Sequence, residues 1–441
     1  MLKKDSRKVV NGDIFVDTTF NKEYVYDAVH NGADLIISKI KYDDNTIVID
    51  DPKEYYNKYI YNKYYDKIKD IILIGVTGTN GKTTTSYIIY DILNKMNVKC
   101  AYIGTIGFYK NGFVRELNNT TPDIEELYEC LYECSLDDIK YVVMEVSSHA
   151  LVQDRVYGLK FDVGIFTNLT LDHLDYHKNM ENYKKAKLLL FDKLRNKRIA
   201  IINSDDQNYK DFIFENNYNV KVGKFGDFKI INIKLNDDSL DLEFSFKDKY
   251  FKHLNMVGKY NAYNYLEAVA TLVYLNFDLN DILKIDVFAP PGRMYIVKYK
   301  ENNIFIDYAH TPDAMEKVFK SVNDFKKNRV FTIFGCGGDR DKSKRSIMGN
   351  IATYYSDKVI ITNDNPRTEN EDDIIADIVS GIKVNNYEII KNRRDAIIKG
   401  VSYLDKNDIL LILGKGHENY QIIGNEKKHF SDLEVLNDIN N

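Results

Sequence analysis

Residues 71–85 read IILIGVTGTNGKTTT, an apolar run that breaks into a glycine-rich turn carrying a single lysine, followed by a helix-like stretch. A short apolar run ending in glycines fits a buried strand, and the strand must stop where the glycines begin. The literal phosphate-loop spacing G-x-x-x-x-G-K-[ST] needs glycine at 76, where this chain has Val76, so the literal pattern fails. The residues Gly78, Thr79, Asn80, Gly81, Lys82, Thr83 and Thr84 nevertheless stand between a strand pattern and a helix pattern over 84–97. Glycines let backbone N–H groups turn toward one anion, and a helix N-terminus adds partial positive charge. Lys82 supplies a full charge for outer phosphates, and the hydroxyl of Thr83 or Thr84 suits Mg²⁺. An ordinary glycine turn is the plainer alternative.

The pattern around this loop predicts an α/β chain of three domains. Residues 1–70 form a short N-terminal segment with strand-like runs at 13–16 and 35–38. It closes on EYYNKYIYNKYYDKIKD, which is either an amphipathic helix or a linker. Over 71–291, strands such as YVVMEV (141–146), FDVGIFTNL (161–169) and IAIIN (199–203) alternate with helical stretches, which implies a mostly parallel sheet. The alternating pattern in 225–257 predicts a small antiparallel piece. APPGRM at 289–294 marks a break, and 292–441 returns to α/β alternation, a second doubly wound domain.

Composition narrows the function. A net charge of −5 argues against general nucleic-acid or membrane-surface binding. No stretch approaches the ~18 uninterrupted apolar residues of a membrane span, and MLKKDSRKVV lacks an apolar signal core. The four cysteines form no C-x-x-C pair, as expected of free thiols in a reducing cytoplasm.

Glu145 falls at the C-terminal end of a predicted strand, followed by Ser147, Ser148 and His149. Open α/β sheets carry their chemistry at that edge. The next strand ends in TNLTLDHLDYH, where His173 and His177 are spaced as two ligands on one helix face would be. With no cysteine or third histidine nearby, Mg²⁺ held by a single histidine fits better than zinc.

Taken together, TGTNGKTTT, TTPD, MEVSSHAL, FTNLTLDHLDYH, YKKAKLLLF, DYAHTPDAM, FGCGGDRD, DNPR and GKGHE resemble the Mur ligase family, in the order its members carry them. The type resembled adds the third residue to UDP-N-acetylmuramoyl-L-alanyl-D-glutamate. The resemblance implies a central ATP-binding domain, a C-terminal amino-acid-binding domain and a shortened N-terminal domain for the UDP-sugar. It implies ATP and Mg²⁺, with Thr83, Glu145 and His173 at the metal and Lys187 carried as a carbamate. It implies that Asn261 and Asn264 meet the adenine, Asp307 the ribose, and Arg293 the γ-phosphate. For the sugar peptide it implies Ser6, Thr120, Thr121, Ser147 and Arg155. For the incoming amino acid it implies Arg340, Asp364, Asn365, Arg367, Gly414 and Glu418.

Charge logic bears on the last set. An arginine fork binds a carboxylate in two places, so Arg367 suits the distal carboxylate of meso-diaminopimelate and repels the bare ammonium of lysine. Glu418 can pair with the distal ammonium. The resemblance implies a cytoplasmic, ADP-forming monomer that serves peptidoglycan synthesis and takes small-molecule substrates only. Two departures keep other readings open. The family's glycine-rich turn after the opening motif is missing from DTTFNKEYVYDAVHNGA, and Tyr295 stands where the family commonly has an acid. A ligase of the same chemistry with a different acidic acceptor is one alternative. A nucleotide-binding scaffold with a degenerate site is another.

Overall fold

The computed structural model describes residues 1–440, without the side chains of 196–198, so Asn441, the last residue of the expected C-terminal domain, lies outside the described residues. The chain forms two compact units. One comprises Met1–Gly75, Lys99–Asp162 and Asp175–Arg195; the other comprises Val76–Val98, Val163–Leu174 and the chain from Asn196 onward.

In the first unit, strands Leu2–Lys3, Asp13–Val16, Ala33–Ser38 and Thr46–Val48 pair in that order, all parallel. Val25 and Ala28 of the helix Lys22–His30 pack on Phe15 and Ile36 to make a small core. The Tyr/Lys-rich stretch is a helix, Pro52–Ile68, and the reason is local. The Asp51 carboxylate accepts from the Glu54 amide at 2.8 Å, and proline occupies the first turn, where its missing N–H is harmless. Tyr56, Ile60, Tyr64 and Ile68 then recur every fourth residue and are buried. Tyr64 meets Tyr128 and Tyr132 of the helix Ile124–Leu136, with ring centres 6.2 and 5.6 Å away.

The central sheet has eleven strands. Their order is Asp248–Leu254, Leu240–Phe246, Phe228–Leu235, Tyr218–Gly223, Leu194–Asn203, Phe161–Phe166, Ile72–Thr77, Tyr141–Glu145, Cys100–Gly104, Gly107–Lys110 and Phe113–Arg115. Pairing is parallel between Leu194–Asn203 and Tyr218–Gly223 and between Cys100–Gly104 and Tyr141–Glu145, and antiparallel toward both edges. The antiparallel piece expected within 225–257 is the meander of 228–254. Every residue of Phe161–Phe166 is buried, as a strand covered on both faces requires.

The second unit also holds a six-stranded sheet in the order Tyr295–Tyr299, Asn302–Asp307, Ile409–Leu413, Val330–Phe334, Lys358–Ile361 and Tyr387–Ile389, parallel except for its first strand. Side chains alternate between its faces. Phe305, Leu411 and Phe334 pack with the helices Pro312–Asn323, Ser343–Tyr355 and Glu371–Val379. Ile304, Ile412 and Ile333 pack with Arg393–Ser402 and Asp432–Asn440. Tyr295, unexplained in the sequence, packs against this second core from the edge strand.

Two arginines are fully buried in this sheet domain, each matched by carboxylates. Arg345 bonds Glu369 and Asp377, and Arg393 bonds Asp432 through both carboxylate oxygens. All four cysteines are free and buried, and burial pushes their thiols up, Cys336 to about 12. Among the described residues, no helix is long and apolar enough to cross a membrane.

Candidate active site

The strand Ile72–Thr77 leads into a turn at Gly78–Gly81, and the helix Lys82–Lys95 starts there, two residues earlier than its pattern suggests. Gly81 explains the early start. It caps the helix at φ +88°, a conformation L side chains rarely adopt, and a Cβ there would meet Asn264 Oδ1 at 2.5 Å. The turn is laced to residues 167–170. The Thr79 amide donates to the Asn168 carbonyl at 2.9 Å, the Asn80 amide to Asn168 Oδ1 at 3.0 Å, and Thr167 Oγ1 to the Asn80 carbonyl at 2.6 Å. Lys82 Nζ folds back over its own loop and donates to the Gly78 and Thr79 carbonyls, both at 2.9 Å. An ammonium held above helix-start amides is a ready phosphate cradle.

The same unit brings other predicted residues to this loop. Arg293 Nη2 donates to Thr83 Oγ1, and its guanidinium stacks over the Tyr308 ring, 5.1 Å from the centre. Asn264 Oδ1 accepts from Thr85 Oγ1 at 3.4 Å, its Nδ2 donates to Asn261 Oδ1, and Asn261 Nδ2 donates to the Val257 carbonyl. Asp307 is buried, and both its oxygens are taken by backbone amides, Met294 at 2.7 Å and Ala309 at 2.8 Å. Burial raises its carboxyl above the usual range, while the Arg293 charge works the other way.

Sequence reasoning missed Glu267. It lies fully buried on the helix Tyr260–Tyr274, where one oxygen bonds Thr85 Oγ1 at 3.1 Å and the other has no hydrogen-bond partner among the described residues. Burial holds its carboxyl well above the usual range. No local pattern marks it, since its partner is 182 residues away.

The amino-acid set gathers in the sheet domain. The loop of Asp364, Asn365 and Arg367 is paired with the loop carrying Arg340, for the Gly338 amide donates to the Asn365 carbonyl at 2.9 Å. Arg340 is exposed. Arg367 has φ +54°, held by its amide donating to the Ile422 carbonyl and its own carbonyl accepting from the Gly424 amide. Its Nη1 donates to the Gly338 carbonyl at 2.8 Å and the Asn365 carbonyl at 3.4 Å. Asn365 Nδ2 donates to Glu418 Oε2 at 2.9 Å. Gly414, at φ +108°, leaves room for Asp364, whose Oδ2 would lie 2.6 Å from a Cβ there. Burial raises the Asp364 carboxyl, and Lys415 and Arg393 oppose that rise.

The first unit brings together Thr120, Thr121, Glu145, Ser147 and Arg155. Glu145 is fully buried at the end of its strand, and Oε1 accepts from the Tyr102 hydroxyl and the Thr105 amide. Its Oε2 accepts from Thr105 Oγ1, which also meets Thr120 Oγ1 at 3.1 Å. Thr121 Oγ1 donates to the Glu145 carbonyl at 2.9 Å and accepts from the Ser147 amide. Arg155 Nη1 donates to the Thr121 carbonyl at 2.8 Å. Lys187 is buried on the helix Met180–Asp192, its ammonium 4.1 Å from the Tyr183 ring centre. Ser6 is buried in a single turn of 3-10 helix, and its carbonyl accepts from Asn31 Nδ2.

One expectation is corrected. His173 and His177 do not share a helix face: His173 precedes the helix Leu174–His177 with φ +53°, and only His177 lies on it. His177 is buried, with Nε2 2.9 Å from Ser148 Oγ. Among the described residues, no group of three or more His, Cys, Asp or Glu could hold a metal by itself.

Comparison with known proteins gives a consistent result. Residues 76–272 match the Mur ligase middle domain, and residues 292–416 match the family described as Mur ligase, glutamate ligase domain. UDP-N-acetylmuramoyl-L-alanyl-D-glutamate--2,6-diaminopimelate ligase 1 of Clostridium acetobutylicum is 41% identical over 461 residues, covering 99% of this chain and 94% of that protein. The correspondingly named ligase of Clostridium botulinum is 39% identical over 459 residues, with the same shares covered. A solved structure of a UDP-N-acetylmuramoyl-L-alanyl-D-glutamate--2,6-diaminopimelate ligase superposes with a TM-score of 0.68 at 31% identity, covering 99% of this chain and 93% of that one. The MurF ligase from Thermotoga maritima shares the fold, with a TM-score of 0.62 at 18% identity, covering 93% of each chain.

Proposed function

This chain belongs to the Mur ligase family, and from that premise we propose that it joins meso-diaminopimelate to the D-glutamyl carboxylate of UDP-N-acetylmuramoyl-L-alanyl-D-glutamate in peptidoglycan precursor synthesis, driven by ATP. The D-glutamyl carboxylate attacks the γ-phosphate, giving an acyl phosphate and ADP. The amine of the amino acid then attacks the acyl carbon, and phosphate leaves. No enzyme nucleophile is needed, so positioning and charge stabilisation do the work. Lys82 leaves its loop carbonyls for the phosphates. Arg293, beside Thr83, meets the γ-phosphate and stabilises the charge that develops on it. Asn261 and Asn264 border the nucleotide, and Asp307 borders the ribose while fixing the turn at Met294.

Thr83, Glu145 and His173 offer a hydroxyl, a carboxylate and an imidazole, a mainly hard donor set that suits Mg²⁺. Glu145, a buried carboxylate held by three donors, is in keeping with that role. When bound, Mg²⁺ would lower the charge repulsion around the phosphates. A buried Lys187 is suited to carbamylation, because CO₂ replaces a desolvated ammonium by an anion able to sit beside a cation.

Thr120, Thr121, Ser147 and Arg155 take the sugar peptide, with Ser6 toward the uracil. Residues 1–70, 71–291 and 292–441 serve as the UDP-sugar, ATP and amino-acid domains. The three larger sheets support this division, since their strands lie within residues 2–48, 72–254 and 295–413. We place the enzyme in the cytoplasm as a monomer.

The observation that supports the amino acid most is the opposed charge about Asn365, with Arg367 on its carbonyl and Glu418 on its amide. A distal end bearing both a carboxylate and an ammonium matches that pair. The test is phosphate release from ATP by purified protein. Release that requires both the UDP-sugar dipeptide and meso-diaminopimelate, and that Lys82→Ala abolishes, is expected. Release that ignores the UDP-sugar would overturn the reading.

A further inference from the structure

Lys415 follows the strand Ile409–Leu413 and is fully buried. A buried ammonium persists only where charge and hydrogen bonds compensate its lost hydration. Its Nζ lies 3.0 Å from Glu418 Oε2 and donates to Asn365 Oδ1 at 3.3 Å. Asn365 Nδ2 donates to that same Glu418 Oε2, and Asn365 Oδ1 also accepts from the Ile422 amide at 3.0 Å. The three side chains therefore close a triangle of hydrogen bonds, anchored to the backbone of the hairpin Tyr420–His429.

The triangle treats the two oxygens of Glu418 unequally. Oε2 takes two donors, while Oε1 takes none among the described residues. The Glu418 side chain is 14% exposed, so this second oxygen is within reach of a ligand. The surroundings make Lys415 necessary. Asp364 and Asp432 are buried carboxylates in the same electrostatic neighbourhood, and Arg393 is already bonded to Asp432 through both its oxygens. Without Lys415, Glu418 would face Asp364 with only the Asn365 amide to hold it.

We infer that Lys415 is a positioning and specificity-determining residue that holds Glu418 by Oε2, so that Oε1 presents a fixed acceptor to the second ammonium of the incoming amino acid. This rests on the amino-acid reading given above. Lys415 itself does not touch the substrate. Its effect is to make the pocket select a diamine over the same acid with one amine missing.

The test compares kcat/KM for meso-diaminopimelate with that for 2-aminopimelate, which lacks the distal amine, in wild type and in Lys415→Met. Wild type is expected to prefer the diamine. Lys415→Met is expected to raise KM for the diamine about 10–100-fold, the range of one charged hydrogen bond, with KM for ATP unchanged and the preference largely gone. A loss that was merely structural would lower both substrates together and keep their ratio. A retained ratio in a folded Lys415→Met therefore overturns the inference. Should Lys415→Met not fold, Lys415→Arg decides: the cation preserved, the ratio should stay within about threefold of wild type, and its collapse overturns the inference. A wild type with no preference for the diamine overturns the amino-acid reading, and the inference with it.

Discussion

Arg293 Nη2 sits 3.4 Å from Oγ1 of Thr83, across 210 residues of chain. The arginine comes just after the Pro-Pro-Gly turn, and the threonine opens the helix after the phosphate loop. Replacing Arg293 by alanine should lower kcat by about 10²–10³, the usual cost of one preorganised donor at developing charge. Nucleotide affinity should fall far less. Steady-state ADP release, set against ADP binding by calorimetry, separates the two. Equal losses in kcat and ADP affinity would count against a role at the transferring phosphate.

Glu267 gives a pH prediction. Its folded carboxyl is raised well above the usual value by burial. A raised acid binds its proton more tightly folded than unfolded. Its contribution is therefore fully present below the unfolded value, about 4.3, and is lost as pH rises through the window up to the folded value. Glu267→Gln, which cannot ionise, should gain on wild type across that window by up to about 1.4 kcal/mol per pH unit. Urea unfolding at pH 5 and pH 8 checks this, and a difference that does not change with pH would refute it.

Arg345 is the largest buried cation whose partners are partly exposed. Arg345→Met should cost about 1–3 kcal/mol, the range of lost charged hydrogen bonds, because Glu369 keeps Lys342 and the part-exposed Asp377 can turn to solvent. Arg345 and Lys342 hold the Glu369 carboxyl far below the carboxylate range. A depressed acid stabilises above its unfolded value and loses that contribution as pH falls. The deficit of the variant should thus be largest near pH 7 and shrink in acid, as read by denaturant midpoints.

L-Lysine offers the distal ammonium without the carboxylate. Wild type should use it at least ~100-fold less well than meso-diaminopimelate, because Arg367 would be left without its anion. Arg367→Ala should lose activity with meso-diaminopimelate and narrow that gap. Equal rates for the two amino acids in wild type would refute a role for Arg367 in choosing between them.

Much of this was legible in the sequence because it is local. The strand-turn-helix around Gly78–Thr83 is written in adjacent residues, and so is the four-residue repeat of Tyr56, Ile60, Tyr64 and Ile68, although the many tyrosines left helix and linker both open. The motif at 364–367 announced Arg367. What it could not announce is the scaffolding. Tyr102 on a neighbouring strand and Thr105 in the turn after it reach Glu145, and Glu267 meets Thr85 through a helix contact 182 residues distant. His173 and His177 misled because their spacing fits a helix that begins only after His173. Lys415 was visible within its motif, yet its role depends on burial, which spacing does not encode.

The chain's thiols are all sealed inside the fold, and it has no tryptophan anywhere. A maleimide dye would consequently find nothing to label on the folded molecule, and its ultraviolet emission comes from tyrosine alone. One cysteine introduced on an exposed helix face, or one indole beside the Arg367 loop, would be a reporter without background, so that substrate binding by the ligase could be followed in real time on otherwise native protein.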